Sequence, residues 1–199
     1  MNPGKYMDWK FRGTTWLTLA VALLCVACAF VLPESYGDKN SPVETVQMIV
    51  LAVGLFVACT ARERSSLYVF AALCLFLVLA REVNYGRTLF IFADPENAKH
   101  FPKWKDMEYG WLAHVCVGAY MVWLLVYFIW RKVWKEAWKV LCEIRVPVSD
   151  ALIAITGLVA GIVFESNHDC LTEELGELVL YVGAIGILYL YTRNKLSRV

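Results

Sequence analysis

Residues 14–32, TTWLTLAVALLCVACAFVL, form nineteen consecutive positions without a charge. As a helix this stretch covers about 28 Å, close to the ~30 Å hydrocarbon core of a bilayer. Five more apolar segments follow: Glu44 to Thr60, Leu67 to Glu82, Trp111 to Trp130, Ser149 to Glu165 and Leu171 to Thr192. The chain of 199 residues is 59% hydrophobic and 19% charged, with a mean hydropathy of +0.53. One soluble core cannot hide that much apolar surface, so the surrounding solvent is lipid. The expectation is an all-α polytopic membrane protein in which residues 1–199 form a single membrane-embedded domain of six transmembrane helices. The second and third segments are short and share only the turn Arg62-Glu63-Arg64-Ser65-Ser66, so a buried soluble helix stays open for one of them.

Orientation follows from the short loops, because Lys and Arg are retained on the cytoplasmic side. Thirteen of the nineteen basic residues fall on one side of this topology, in the groups Lys5 to Arg12, Arg62 and Arg64, Arg131 to Arg145, and Arg193 to Arg198. Thirteen of the eighteen acidic residues and all three histidines fall on the other. Both termini are therefore expected in the cytoplasm, with an inner half near +8 and an outer half near −7, which sum to the formal +1. The first segment is too long for a signal-peptide apolar region and lacks a small-residue cleavage site, so it reads as an anchor. Of seven cysteines only Cys170 is clearly outside, which argues against a disulfide framework; Cys25 and Cys28 read as small packing residues inside the first helix.

Polar residues gather near the outer ends of the helices. Odd helices finish near Glu34, Glu82 and Glu165, and even helices open with Glu44 and Gln47, with His114, and with Glu173, Glu174 and Glu177. In one bundle these ends converge at a single depth. Ser41-Pro42-Val43-Glu44 also reads as a capping box, and Glu173 and Glu174 as first-turn acids favoured by the helix dipole. Glu177 lies deeper, and its spacing of three and four from those two acids demands a proton, a basic partner or a cation. Glu165-Ser166-Asn167-His168 sets a carboxylate and an imidazole on one helix face, as in carboxylate-bridged metal bundles. With His114 this gives a candidate metal set of His114, His168, Glu165 and Glu177, suited to a divalent ion.

Arg81-Glu82-Val83-Asn84-Tyr85-Gly86-Arg87 is the most distinctive stretch. It sets two guanidiniums, a carboxylate and an amide at the outer boundary, where ionisable groups face a wet interior or snorkel to headgroups. The candidate binding pocket is thus Arg81, Glu82, Asn84, Arg87, Glu165, Glu174 and Glu177. This stretch, together with Glu173-Glu174-Leu175-Gly176-Glu177, resembles patterns in small uncharacterised six-helix bacterial inner-membrane proteins. The likeness covers about a tenth of the chain and implies a multi-pass protein of the inner membrane, with no chemistry attached.

Three further features concern architecture. Gly157-x-x-x-Gly161 permits close helix approach. Arg131 to Arg145, with Trp130, Trp134 and Trp138 at four-residue steps among Lys and Arg, reads as an interfacial helix after helix 4 that binds anionic lipid; nucleic acid is not an expected partner. The extracytoplasmic loop Gly86 to Gly110 between helices 3 and 4 carries Phe90, Phe92, Phe101, Trp104 and Tyr109, with Asp94-Pro95-Glu96 as a helix start, and reads as a lid with His100 at its tip or as an aromatic anchor.

Two function classes follow. One is a binding or transport protein whose acidic outer pocket takes a cation, a proton or a small solute. The other is a metal-dependent hydrolase or transferase acting on a lipid headgroup at the outer leaflet. No complete nucleophile, base and oxyanion set is present, so whether the chain is an enzyme stays open. A non-catalytic subunit of a membrane complex, or a homo-oligomer, is a third possibility.

Overall fold

The computed structural model describes residues 7–37, 41–62, 65–83, 85, 110–166, 169–193 and 196. Among them are seven α-helices: α1 (Gly13–Val31), α2 (Pro42–Cys59), α3 (Ser66–Glu82), α4 (Gly110–Trp130), α5 (Val133–Glu143), α6 (Val148–Ser166) and α7 (Cys170–Thr192). A 3₁₀ turn, Glu34–Gly37, precedes α2, and two short strands, β1 (Met7–Asp8) and β2 (Val146–Pro147), pair in parallel. Residues 86–109, expected to form a loop, lie outside the described residues, as do Asn84 and His168.

Five helical segments are long and apolar enough to cross a membrane: α1, the segment containing α2, α4, α6 and α7. α3 has 17 residues and is the shortest of the six long helices. The exterior is apolar, with Phe30 87% and Trp130 76% exposed. The interior holds Thr15, Thr18, Gln47, Asp150 and Thr192, each almost wholly buried. That inversion of the water-soluble pattern suits a chain whose outside faces lipid tails.

α7 is the hub, packing along α6, α1 and α2 and meeting the 3₁₀ turn at its start. α6 and α7 interlock through glycines: a Cβ at Gly157 would lie 2.8 Å from the Gly176 carbonyl, and one at Gly176 would lie 2.7 Å from the Gly161 amide nitrogen. The close approach expected of Gly157-x-x-x-Gly161 is thus made against the backbone of α7. Cys25, Val43, Leu171, Leu175, Leu178 and Val179 pack where α1, α2 and α7 meet. All seven cysteines are unpaired, with Cys25 buried in this cluster.

α3 packs on α2, and α4 packs chiefly on α3 and α5. Aromatic rings make the α3–α4 joint, Phe70 against Phe128 at 5.3 Å and Phe76 against Tyr120 at 6.1 Å, while the Tyr120 hydroxyl donates to the Leu73 carbonyl at 2.9 Å. Lys132 adopts a left-handed conformation (φ 52°) and breaks α4 from α5. Trp130 therefore ends α4 and does not share a helix with Trp134 and Trp138, a correction to the single stripe expected from their spacing.

The end of the molecule holding the strands is tied by side-chain caps. Thr15 donates to Asp150 at 2.7 Å and accepts the Arg12 amide at 3.0 Å, joining α1 to α6. Glu136 of α5 accepts the Leu67 amide and the Ser66 hydroxyl, both at 2.9 Å, and so caps the start of α3 from another helix. Arg62 donates its amide to the Thr192 carbonyl at 3.2 Å, and the Arg193 guanidinium reaches Thr60 at 3.1 Å.

Candidate functional site

At the opposite end, the start of α2, the end of α3 and the first turns of α7 bring acidic side chains together. Ser41 caps α2 by accepting the Glu44 amide at 3.2 Å, with Pro42 at the first helical position. That cap fixes the frame in which Glu44 and Gln47, one turn apart, both point inward, 3% and 0% exposed. Asp169 caps α7, accepting the Thr172 amide at 3.1 Å and the Thr172 hydroxyl at 2.7 Å. The helix therefore opens at Cys170, earlier than the sequence suggests, which moves Glu174 past its first turn and leaves the capping to Asp169.

Carboxylate oxygens of Glu82, Glu174 and Glu177 lie within 4.8 Å of one another. Arg81 supplies the basic partner that the spacing of Glu177 demands, its Nη2 lying 2.9 and 2.8 Å from the two Glu177 oxygens and 3.3 Å from Glu82 Oε1. The Tyr181 hydroxyl, one helical turn beyond Glu177, lies 2.9 Å from Glu82 Oε1 and 2.9 Å from Glu177 Oε2. Gln47 donates to the Glu174 carbonyl at 2.7 Å, and its Oε1 is buried with no hydrogen-bond partner among the described residues. Glu44 is near enough to oppose the charge of Glu82.

Burial grades across the cluster. The Glu82 side chain is 5% exposed, Glu177 22% and Arg81 56%, so the guanidinium forms an open wall and Glu82 the floor. Among the described residues, Arg81 pairs with Glu177 and Glu82, and Glu174 stands beside them as a third carboxylate. Such a group can accept protons, hold a small cation, or pass a proton along Glu82, Tyr181 and Glu177 through contacts of hydrogen-bond length.

Of the residues singled out from sequence, Arg81, Glu82, Glu174 and Glu177 are brought together. His114 stands apart on α4, where its Nδ1 lies 3.1 Å from the Gly110 carbonyl. A carbonyl only accepts, so Nδ1 is the donor in this contact. His114 lines a separate hollow of about 380 Å³ with Tyr85. Glu165 is exposed at the end of α6. Among the described residues, the group able to hold a metal is Glu82, Glu174 and Glu177, without His114 or Glu165; His168, the other member of the expected set, lies outside the described residues. α4 packs on α3 and α5, whereas α6 lies along α7 itself, with Gly161 beside Glu177 and Glu165 a turn further on at the exposed end of α6. Asn84, Arg87 and His168 lie outside the described residues.

Tyr181 went unrecognised in the sequence, where a tyrosine in an apolar span reads as packing; its spacing of four from Glu177 was the available signal. No protein-family model matches this chain, and neither does any curated protein or solved structure.

Proposed function

We propose that the chain is a six-span inner-membrane protein, with both termini in the cytoplasm, whose extracytoplasmic cluster of Glu82, Glu174 and Glu177 binds a proton or a small cation. The sixth span rests on α3, whose 17 residues reach the short end of the range that crosses a bilayer. Orientation rests on Arg12, Arg62, Arg145 and Arg193, which belong to the end opposite the cluster. α5, with exposed Trp134, Trp138, Lys135 and Lys139, lies along the anionic cytoplasmic leaflet.

The observation that carries the binding reading is the double contact of Tyr181. A phenol has one proton, so it donates to only one of the two carboxyls it touches at 2.9 Å. Both contacts are satisfied when the other carboxyl is protonated and donates to the phenol oxygen. The cluster thus has a built place for one proton, and its three carboxylates lie close enough to share a cation in the proton's stead.

The test is thermal melting of the detergent-purified protein across pH and across Na⁺, K⁺, Mg²⁺, Ca²⁺ and Zn²⁺. Protons or one of these cations should raise the wild-type melting temperature and leave Glu177→Gln unmoved. A wild-type profile indifferent to all five ions, with a pH response shared by Glu177→Gln, would exclude the cluster as a binding site.

A further inference from the structure

A second feature lies at the other end of the molecule and has no part in the acidic cluster. α1 and α2 both pack on α7, and between them α7 forms the floor of an apolar groove of about 640 Å³. Gly186 keeps that floor low, and Ile49 and Val53 form one wall. The groove is not uniform along its length. Its far end is aliphatic, whereas the end near the strands is lined by Arg12 and Thr14. The Thr14 hydroxyl has no hydrogen-bond partner among the described residues.

One turn beyond the lining, Arg193 lies across the α2–α7 seam on Thr60, with the Arg62 amide bonded to Thr192 beside it. Lys10 is exposed just before Arg12. Arg12 is paired with Asp8 at 2.6 Å and Asp150 accepts from Thr15, while Lys10, Arg62 and Arg193 bring further positive charge to the mouth. A long apolar slot that opens onto a cationic, hydroxyl-bearing mouth matches an amphipathic anion with a single extended tail.

We infer that this groove binds one anionic phospholipid of the adjacent leaflet, an acyl chain along α7 between α1 and α2 and its phosphate at Arg12 and Arg193. The position suits the ligand: a cation at the membrane surface attracts anionic headgroups, and an acyl chain gains from a groove deeper than the average helix surface. Lipid held there fills the gap between α1 and α2, which touch each other little, and so stiffens the bundle.

The experiment is native mass spectrometry of the full chain in detergent, with phosphatidylglycerol or phosphatidylcholine of matched chains, and with inorganic phosphate as the soluble anion. One phosphatidylglycerol should survive desolvation per chain, with phosphatidylcholine retained about fivefold less and Arg193→Gln weakening phosphatidylglycerol by about the same factor. Val53→Trp, which fills the slot, should abolish the adduct; Phe56→Trp, on the same helix but outside the groove, should leave it intact. A photoreactive acyl chain on the wild-type lipid should label α1, α2 and α7, which keeps the inference testable if Val53→Trp fails to fold. Equal retention of the two lipids, retention of phosphate without lipid, an adduct indifferent to Val53→Trp, or labelling confined to other helices would each overturn it. A dimer that excludes lipid and is broken by Val53→Trp would assign the groove to a second copy instead.

Discussion

Arg81 grips Glu177 with a single nitrogen, Nη2, at 2.9 and 2.8 Å from the two carboxylate oxygens. The contact ties α3 to α7 across a seam where α3 packs chiefly on α2. Because the Arg81 side chain is 56% exposed, water screens the pair, and its contribution is about 0.5–1 kcal/mol. Arg81→Gln should lower the melting temperature, and Glu177→Gln in that background should recover part of the loss by removing a carboxylate left beside Glu82 and Glu174. A double-mutant cycle measures this coupling; strictly additive effects would show that the two side chains act independently.

Glu136 should matter for stability although it is polar and lies on a peripheral helix. It satisfies the Leu67 amide and the Ser66 hydroxyl at the start of α3, groups the helix cannot pair internally. Glu136→Ala should therefore destabilise by about 1–2 kcal/mol, the range of a lost helix cap. Glu143→Ala, on the same helix and exposed, should change the melting temperature by much less.

Gly176 and Gly161 face the same seam and should respond differently. A Cβ at Gly176 meets the Gly161 amide nitrogen at 2.7 Å and the Gly157 carbonyl at 3.0 Å, whereas a Cβ at Gly161 meets its nearest neighbours at 3.7 Å, an ordinary contact. Gly176→Ala forces the helices apart and should destabilise by about 1–3 kcal/mol. Gly161→Ala should melt close to wild type. Equal melting of the two variants would mean that α6 and α7 do not approach this closely.

Asp8 sets an acid limit. Burial pushes its carboxyl up, but the Arg12 hydrogen bond at 2.6 Å, the Lys10 amide at 3.1 Å and both positive charges outweigh burial and hold it below the ordinary 3.8. A group lowered on folding contributes stability that is fully present above its unfolded value and is lost as pH falls through the folded one. The wild-type melting temperature should therefore fall below about pH 4, and Asp8→Asn should lose stability at neutral pH and show a shallower acid decline. Parallel acid limbs would remove Asp8 from the explanation.

The helices were legible in the sequence because a chain in lipid must satisfy its backbone polar groups within each helix, so apolar run and helix nearly coincide. Thr14 to Leu32 became Gly13–Val31, and Trp111 to Trp130 became Gly110–Trp130. Position along each helix was legible for the same reason, and it is why Arg81, Glu82, Glu174 and Glu177 were all among the candidates. Lateral neighbours were not legible: His114 stands near the end of its helix as Glu82 does, and nothing in the sequence says that α4 packs on α3 and α5, or that Glu165 is exposed although α6 lies along α7. The β1–β2 pair of two residues each is too short for any alternation to register.

The decisive measurement is infrared difference spectroscopy of the carboxylic-acid carbonyl stretch during a pH titration of the purified protein. A proton shared among Glu82, Tyr181 and Glu177 gives a protonated-carboxyl band at neutral pH that shifts on Tyr181→Phe and disappears in Glu82→Gln/Glu177→Gln. No such band at neutral pH, or one that survives the double substitution unchanged, would contradict a proton held in this cluster.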